Sequence, residues 1–204
     1  MHGNGSDRSA YLGGIRFYVG NPDVTPNNAY HHVPNVVVHA RVRDEHLAPN
    51  PYRWAPISAR TLMGRGRVAV FSFPAAFSPT CSDEHLPAIE ATYDRFEAAG
   101  CRAMFAVSVN DAFVMHRWGE ALGIEKVHLV PDGNGDFTRR MGMLVSRRGL
   151  GYGFRSWRYA FLADDGGVVA WFEEPGIGDD GGTGDDPYGA TAPEAVLARL
   201  EDDR

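Results

Sequence analysis

The fold is organised around residues 67–82, which read RVAVFSFPAAFSPTCS. The stretch begins with a short run of β-branched, aromatic and small apolar residues, which predicts a strand buried on both faces. Two prolines then turn the chain, and Cys81 follows at the start of a helix. A thiol at a helix N-terminus lies over unpaired backbone N–H groups and the positive end of the helix dipole, which favour the thiolate. The pattern predicts a reactive Cys81, and an inert buried thiol is the alternative.

Composition excludes several classes of protein. The chain has 204 residues, of which 44% are hydrophobic, so we expect one globular domain with a substantial core. A net charge of −6 gives no footprint for nucleic acid or an anionic membrane surface. No apolar run approaches the roughly 18–20 residues that span a bilayer, and no secretory signal is visible. Two cysteines are too few for a disulfide framework, so we expect a soluble protein of a reducing cytoplasm.

The N-terminal segment differs from the rest of the chain. Residues 1–34 are rich in Gly, Asn, Asp and Pro, which predicts a partly mobile extension before a single domain at 35–204. An apolar island at 11–19 could add an edge strand or dock on a partner. His31 and His32 are adjacent and have no cysteine or carboxylate nearby to complete a ligand set, so we expect no metal.

The middle of the chain predicts strands that alternate with helices. A strand is expected at 36–43, a turn at 48–52 and a short helix at 58–63. The helix after Cys81 carries an apolar stripe and is interrupted or kinked by Pro87. Strands at 101–109 and 126–130 flank a helix at 111–122, whose inward side chains are expected to be Phe113, Trp118 and Leu122. The order indicates a parallel α/β arrangement with right-handed crossovers.

The C-terminal third predicts a hairpin and a last helix. Strands at 156–163 and 168–172 are joined by a short glycine turn. The acidic, glycine-rich loop at 176–186 is expected to be solvated, with calcium binding as the alternative. Asp132 to Asp136 is a polar turn and not an EF-hand loop, because Phe137 stands where that loop needs glycine. Thr191 and Glu194 form a predicted capping box for the last helix.

Several motifs resemble those of peroxiredoxins. Pro74, Ser78 and Cys81 match that family's pattern of proline, three residues, threonine or serine, two residues, cysteine. The run at 73–82 followed by His85-Leu86-Pro87 is similar to the type-five (type II) subfamily. A further match to the family is the segment 107–115. The segments 131–135, 141–144 and 155–159 resemble the peroxiredoxin part of bacterial peroxiredoxin–glutaredoxin hybrids. The resemblance extends from about residue 36 to the C-terminus.

The resemblance implies a fold and a reaction. The fold would be α/β and thioredoxin-like, with a central mixed β-sheet flanked by helices. The protein would be an antioxidant peroxidase, working as a homodimer on hydrogen peroxide and alkyl hydroperoxides. In this scheme Cys81 attacks the peroxide and becomes a sulfenic acid. Arg158 takes the position of the family's active-site arginine, whose permanent charge and fixed fork of donors suit both thiolate and peroxide.

The resemblance also implies supporting residues. Ser78 would orient the peroxide, and Pro74 would shield the sulfur from water and overoxidation. Substrate contacts are expected near Thr80, Phe77, Arg155 and His85, although Arg155 could equally be solvated. His85 lies one turn after Cys81, so a Cys–His or metal pair is conceivable, with a packed histidine as the alternative. Trp118 and Trp157 are expected to be core or dimer-surface residues. Two positions depart from the resembled family: Ser78 replaces the commoner threonine, and Ala75 replaces the commoner glycine.

The predicted strand order places Cys101 far from Cys81. Parallel strands start at one edge of a sheet, so Cys101 at the start of the second strand lies opposite Cys81, on the order of 20 Å away. A disulfide needs Cα atoms within about 7 Å. Cys101 is therefore expected to be structural, and an external thiol is expected to reduce Cys81. The resemblance to the glutaredoxin hybrids implies glutathione with glutaredoxin as that reductant, with another small thiol as the alternative and no bound cofactor. A thioredoxin-reduced peroxidase, a peroxide sensor or a holdase are the alternatives.

Overall fold

The computed structural model describes residues 9–12, 15–18, 31–44, 46–47, 49–178 and 186–202. At its centre lies a five-stranded mixed sheet with the order β11-β10-β5-β6-β7. β5, β6 and β7 are parallel, whereas β10 runs antiparallel to β5 and β11 antiparallel to β10. This sheet confirms the predicted thioredoxin-like class. Its strands are β5 (Arg67–Phe73), β6 (Ala103–Ser108), β7 (His128–Pro131), β10 (Tyr159–Asp164) and β11 (Gly167–Glu173).

Helices cover both faces of the sheet and create two cores. Ala69, Phe71 and Phe73 of β5 point into the first core, against α2, α3 and α5. Val68 and Val70 point into the second core, with α1 and α4. The alternation of β5 between two cores confirms that this strand is buried on both faces. The helices are α1 (Ala59–Met63), α2 (Leu86–Ala98), α3 (Ala112–Leu122), α4 (Asp136–Arg140) and α5 (Pro193–Asp202).

Three antiparallel hairpins lie outside the central sheet. In the first, β1 (Ser9–Leu12) pairs with β2 (Ile15–Tyr18), so the apolar island pairs locally and not with the large sheet. The second joins β3 (Val37–Arg43) to β4 (Tyr52–Ser58), and the third joins β8 (Leu144–Ser146) to β9 (Phe154–Ser156). The expected mobility of residues 1–34 falls largely on positions outside the described residues.

Residues 31–33 attach the N-terminal segment to the turn between β10 and β11. The Val33 N–H donates to the Gly166 carbonyl at 2.9 Å, and the Val168 N–H donates to the His31 carbonyl at 2.9 Å. Val33 is fully buried in the second core. Residues 31–33 are therefore part of the folded domain.

Several sequence predictions are wrong in detail. β4 begins at Tyr52, where a turn was expected, and the strand expected at 156–163 is interrupted between β9 and β10. Phe113 is 53% exposed and contacts Trp54, because it lies on the outer side of α3. The last helix begins at Pro193, one residue later than the capping box requires, and the Thr191 hydroxyl donates to Glu174. No described helix has the length and hydropathy needed to cross a bilayer.

Candidate active site

Strand register brings Arg158 to the edge of the sheet where Cys81 lies. β5 ends at Phe73, and its antiparallel neighbour β10 begins at Tyr159, which pairs with Ser72. The residue before Tyr159 therefore lies beside the end of β5. The loop that leads to Cys81 leaves the same end of β5. Two groups separated by 77 positions in the chain thus meet at one edge of the sheet.

Cys81 lies in a six-residue π-helical turn, Thr80–His85, that leads into α2. The Leu86 N–H donates to the Cys81 carbonyl, and Pro87 has no N–H with which to continue a tighter pattern. The expected helix start is therefore present, with a widened first turn. The Cys81 side chain is fully buried and belongs to the core that contains Phe73 and Trp118.

Trp118 fixes this turn to α3. Its indole N–H donates to the Ser82 hydroxyl at 3.0 Å, and its ring is fully buried against Phe73 at 5.4 Å between ring centroids. Trp118 is thus a core residue, as expected. The bond holds the residue next to Cys81 in place, so packing of α3 helps to fix the position of the sulfur.

The loop before Cys81 is held by internal hydrogen bonds. The Ser78 hydroxyl donates to the Ala75 carbonyl at 2.9 Å. Phe77 has a φ of 65° and is 55% exposed. A left-handed conformation is unusual for a non-glycine residue and marks local strain of the kind that collects at functional sites. The ring of Phe77 therefore lies at the surface, while Ser78 and Pro74 are half-buried.

Asn110 anchors the same loop and was missed by the sequence analysis. Its Oδ1 atom accepts hydrogen bonds from the Ala76 N–H at 3.1 Å and from the Ser108 hydroxyl at 2.8 Å. Ser108 ends β6, which is the parallel neighbour of β5. The position of Asn110 directly after a buried strand, inside one of the matched motifs, was the available signal.

Arg158 is buried and held at three of its nitrogens. Its side chain is 1% exposed. Nη1 donates to His85 Nδ1 at 3.0 Å, Nε to the Pro187 carbonyl at 3.0 Å, and Nη2 to Asp186 Oδ1 at 2.5 Å. A guanidinium has five N–H donors, so these bonds leave two for other acceptors. None of its hydrogen bonds to described residues goes to Cys81 or Ser78.

His85 is a fully buried histidine whose two ring nitrogens both form hydrogen bonds, one of them with Arg158. Because an arginine can only donate, Nδ1 of His85 must accept, and the proton is on Nε2, which donates to the Thr191 carbonyl at 3.1 Å. Burial and then the charge of Arg158 lower the pKa of His85 to about 3. The imidazole is therefore neutral and has one fixed tautomer.

The segment Asp186–Thr191 closes this part of the site. Glu174 Oε1 accepts three hydrogen bonds of 2.8 Å, from the N–H groups of Gly189 and Thr191 and from the Thr191 hydroxyl. Burial alone would raise the pKa of Glu174, but these hydrogen bonds outweigh it and lower the pKa below its usual value. The ring of Tyr188 lies 4.7 Å from that of His85.

Asp186 contradicts the prediction that its loop is simply solvated. It pairs with Arg158, while residues 179–185 of the same loop, where calcium was the alternative, lie outside the described residues. Acidic, glycine-rich composition gave no signal for this partner. Among the described residues, no three His, Cys, Asp or Glu side chains are arranged to hold a metal ion.

The remaining sequence candidates are Arg155, Trp157 and Thr80. Arg155 lies in β9, where Nη1 donates to the Phe154 carbonyl and Nε is buried without a hydrogen-bond partner among the described residues. Trp157 is buried, and its indole N–H donates to the Glu174 backbone carbonyl at 2.8 Å. Thr80 is half-buried and is the first residue of the π-helical turn.

Cys101 lies at the opposite end of the sheet. It precedes β6, and the next residue, Arg102, donates its N–H to the carbonyl of Arg67, the first residue of β5. Cys101 is 4% exposed, and burial raises its pKa to about 11. Both cysteines are free. The length of β5, seven residues at about 3.3 Å each, separates the two thiols.

Comparison with known proteins identifies this arrangement. The Redoxin family model matches residues 55–185. A peroxiredoxin of Sinorhizobium fredii is 51% identical over 169 residues, which are 82% of this chain and 89% of the relative. This chain belongs to the peroxiredoxin family. Peroxiredoxins are thiol peroxidases, so the chain reduces a peroxide substrate with electrons from a thiol.

Two further relatives refine the placement within the peroxiredoxins. The hybrid peroxiredoxin hyPrx5 of Haemophilus influenzae is 42% identical over 143 residues, which are 70% of this chain and 56% of that protein. The chain is a type-five peroxiredoxin that resembles this hybrid. The structure of a one-cysteine peroxiredoxin from Plasmodium falciparum superposes with a TM-score of 0.77 at 28% identity, over 84% of this chain and 98% of that chain.

Proposed function

We propose that this peroxiredoxin uses a one-cysteine mechanism in which Cys81 reduces hydrogen peroxide and alkyl hydroperoxides. The Cys81 thiolate attacks one peroxide oxygen, the O–O bond breaks, and the other oxygen leaves as water or an alcohol after taking up a proton. The sulfur is oxidised to a sulfenic acid. The observation that carries this proposal is the convergence of the Cys81 turn and the buried cation Arg158 at one edge of the sheet.

In this mechanism Arg158 stabilises the charge that moves from sulfur to the leaving oxygen. The two N–H donors that form no hydrogen bond with the described residues are available to the peroxide, and a buried, preorganised cation acts more strongly than one in water. Ser78 and the backbone N–H groups near Thr80 and Cys81 hold the peroxide oxygen that Cys81 attacks. Pro74 shields the sulfur. Phe77 and Arg155 are assigned to the outer part of the substrate path.

The sulfenic acid is resolved by a thiol from outside the chain. Cys101 is at the far end of β5, and its raised pKa keeps it protonated. The external thiol attacks the sulfenic sulfur, water leaves, and a second thiol reduces the mixed disulfide and releases Cys81. The likeness to the Plasmodium one-cysteine peroxiredoxin supports this scheme.

The reductant we propose is glutathione, assisted by glutaredoxin, acting in a reducing cytoplasm without a bound cofactor. The support is the resemblance to the peroxiredoxin part of peroxiredoxin–glutaredoxin hybrids and the match to the hybrid of Haemophilus influenzae. Thioredoxin is the competing reductant. The same residues would serve either donor, because the chemistry at Cys81 ends in the same sulfenic acid.

The test is NADPH-coupled turnover with hydrogen peroxide, with the glutathione–glutaredoxin and thioredoxin systems supplied separately. The wild type, Cys81→Ser and Cys101→Ser are compared. Turnover with glutaredoxin that is lost only in Cys81→Ser supports the whole proposal. Turnover only with thioredoxin replaces the reductant, and loss of turnover in Cys101→Ser overturns the one-cysteine mechanism. If Cys81 is not oxidised by peroxide in a single turnover, the peroxidatic role of Cys81 is wrong.

We also propose a homodimer. Trp54 and Phe113 are 54% and 53% exposed, and their rings meet edge to face at 5.5 Å. Exposed aromatic pairs of this kind are common in subunit interfaces. Sedimentation velocity measures the mass of the wild type and of Phe113→Ser. A monomeric wild type contradicts the dimer, and an unchanged mass in Phe113→Ser removes this patch from the interface.

A further inference from the structure

We propose that His85 and Asp186 are positioning residues that fix the guanidinium of Arg158 for reaction with the peroxide. The proposal rests on the assignment of Arg158 to the peroxidase reaction. It gives His85 a role other than substrate binding, and it makes the segment Asp186–Thr191 part of the active site.

The first observation is that both ring nitrogens of His85 are already used. Nδ1 accepts from Arg158 and Nε2 donates to the Thr191 carbonyl. No nitrogen remains to take a proton from Cys81 or to contact a peroxide. This arrangement excludes the Cys–His pair considered from the sequence, and it leaves His85 one partner in the catalytic machinery, Arg158.

The second observation is that packing does not by itself require histidine at this position. The imidazole is fully buried among three aromatic rings, those of Phe71, Phe73 and Tyr188, with centroid distances of 5.9, 4.6 and 4.7 Å. A phenylalanine would suit such surroundings at least as well, since burying an imidazole costs free energy unless it is hydrogen-bonded. The two nitrogens are what a phenylalanine could not supply.

The third observation is the distribution of the acceptors around Arg158. His85 binds Nη1, Asp186 binds Nη2, and the Pro187 carbonyl binds Nε, so every nitrogen of the fork is held. Two of these acceptors come from the segment at 186–191, and the third is itself fixed by Thr191 of that segment. The orientation of the guanidinium is thus determined together with the position of the segment.

Such restraint matters because a catalytic group that is displaced by about 1 Å can lose on the order of 100-fold in rate. His85→Phe keeps an aromatic ring but removes the acceptor for Nη1. We expect oxidation of Cys81 by hydrogen peroxide to slow about 10- to 100-fold in that variant. His85→Asn restores an oxygen acceptor near the position of Nδ1 and should recover most of the rate.

The decisive experiment is a double-mutant cycle on the rate of Cys81 oxidation, followed by stopped-flow tryptophan fluorescence. The proteins are the wild type, His85→Phe, Arg158→Gln and the double variant, with Asp186→Asn measured in both Arg158 backgrounds. If His85 and Asp186 act through Arg158, their substitution changes the rate less than about twofold once Arg158 is replaced. An equal loss in both backgrounds overturns the proposal.

A matched control and a second measurement separate the possible failures. His128 lies in β7, away from the site, and packs on Phe105. The variant His128→Phe should therefore leave the rate unchanged. Nitrogen-15 NMR of the His85 imidazole tests the contact without any reaction. A proton on Nδ1 overturns the proposal, and so does an Nδ1 signal that is the same in the wild type and in Arg158→Gln. Both results can be read even if peroxide oxidises none of the proteins. An unreactive wild type with the expected NMR result overturns the peroxidatic assignment alone.

Discussion

His85 should make the stability of this protein strongly dependent on pH. In the folded state burial and the charge of Arg158 lower the pKa of His85 to about 3, whereas in the unfolded chain it returns to its ordinary value of 6.5. Between these values the unfolded state binds a proton that the folded state refuses. The free energy of unfolding therefore falls as the pH is lowered below about 6.5 and keeps falling towards the folded-state pKa.

The magnitude follows from the difference in proton binding. Between pH 7.5 and pH 5, a group with an unfolded pKa of about 6.5 that stays neutral in the folded state removes about 2 kcal/mol of stability. The result changes little for any folded pKa below about 4, because the folded state then takes up no more than about a tenth of a proton at pH 5. The prediction thus depends on the burial of His85 and its contact with Arg158 more than on the size of the shift.

The assay is urea unfolding followed by circular dichroism at several pH values from 7.5 to 5, with the wild type and His85→Asn. The variant contains every other titratable group, so the difference between the two pH dependences isolates His85. We expect the wild type to lose about 2 kcal/mol more than His85→Asn over this range. Parallel curves that differ by less than about 0.5 kcal/mol would refute the buried, neutral state of His85.

Three further predictions concern residues around the site. Asn110→Ala removes the acceptor of two hydrogen bonds and should lower the free energy of unfolding by about 1–3 kcal/mol in urea, while Asn110→Asp keeps the acceptor and should lose less. In Cys101→Ala the rate of sulfenic acid formation at Cys81, trapped with dimedone and measured by mass spectrometry, should equal that of the wild type, and a slower rate would contradict a structural Cys101. Glu174→Ala leaves three donors unsatisfied and should destabilise the protein by about 3 kcal/mol, whereas an equal loss in Glu174→Gln, which keeps an oxygen acceptor, would point to charge and not to the hydrogen bonds.

The sequence predicts the central sheet because its strands carry their own signal. Residues 68–71 and Phe73 of β5 alternate between the two cores, so the strand reads as a nearly continuous apolar run. β4 carries no such signal, because it contains Pro56 and, among the described strands, pairs only with β3. Proline is tolerated on a strand with a free edge but argues against a strand in a sequence. The error at Phe113 follows from this one, since its partner Trp54 lies on the strand that was missed.

Some features of the site could also be predicted from the sequence, and others could not. Cys81 and Ser78 lie in one short motif, and the position of Arg158 was indicated by the resemblance. The contacts of Arg158 were not predictable, because they depend on the register of β10 with β5 and on the path of the chain after β11. Asp186 belongs to a loop whose composition indicates solvation. Only the folded chain shows that its carboxylate pairs with a buried cation.

The burial of Arg158 links the position of the segment Asp186–Thr191 to the role proposed for this arginine. A guanidinium that is 1% exposed would cost several kcal/mol to desolvate if it had no partner, and Asp186 supplies the opposite charge. Movement of the segment away from the site would remove Asp186 and the Pro187 carbonyl together, and it would free the carbonyl that holds His85. Arg158 would then be hydrated and would lose its fixed orientation. The position of the segment and the orientation of Arg158 on which the proposed reaction depends are therefore one structural state, which Glu174 stabilises through its hydrogen bonds to Gly189 and Thr191.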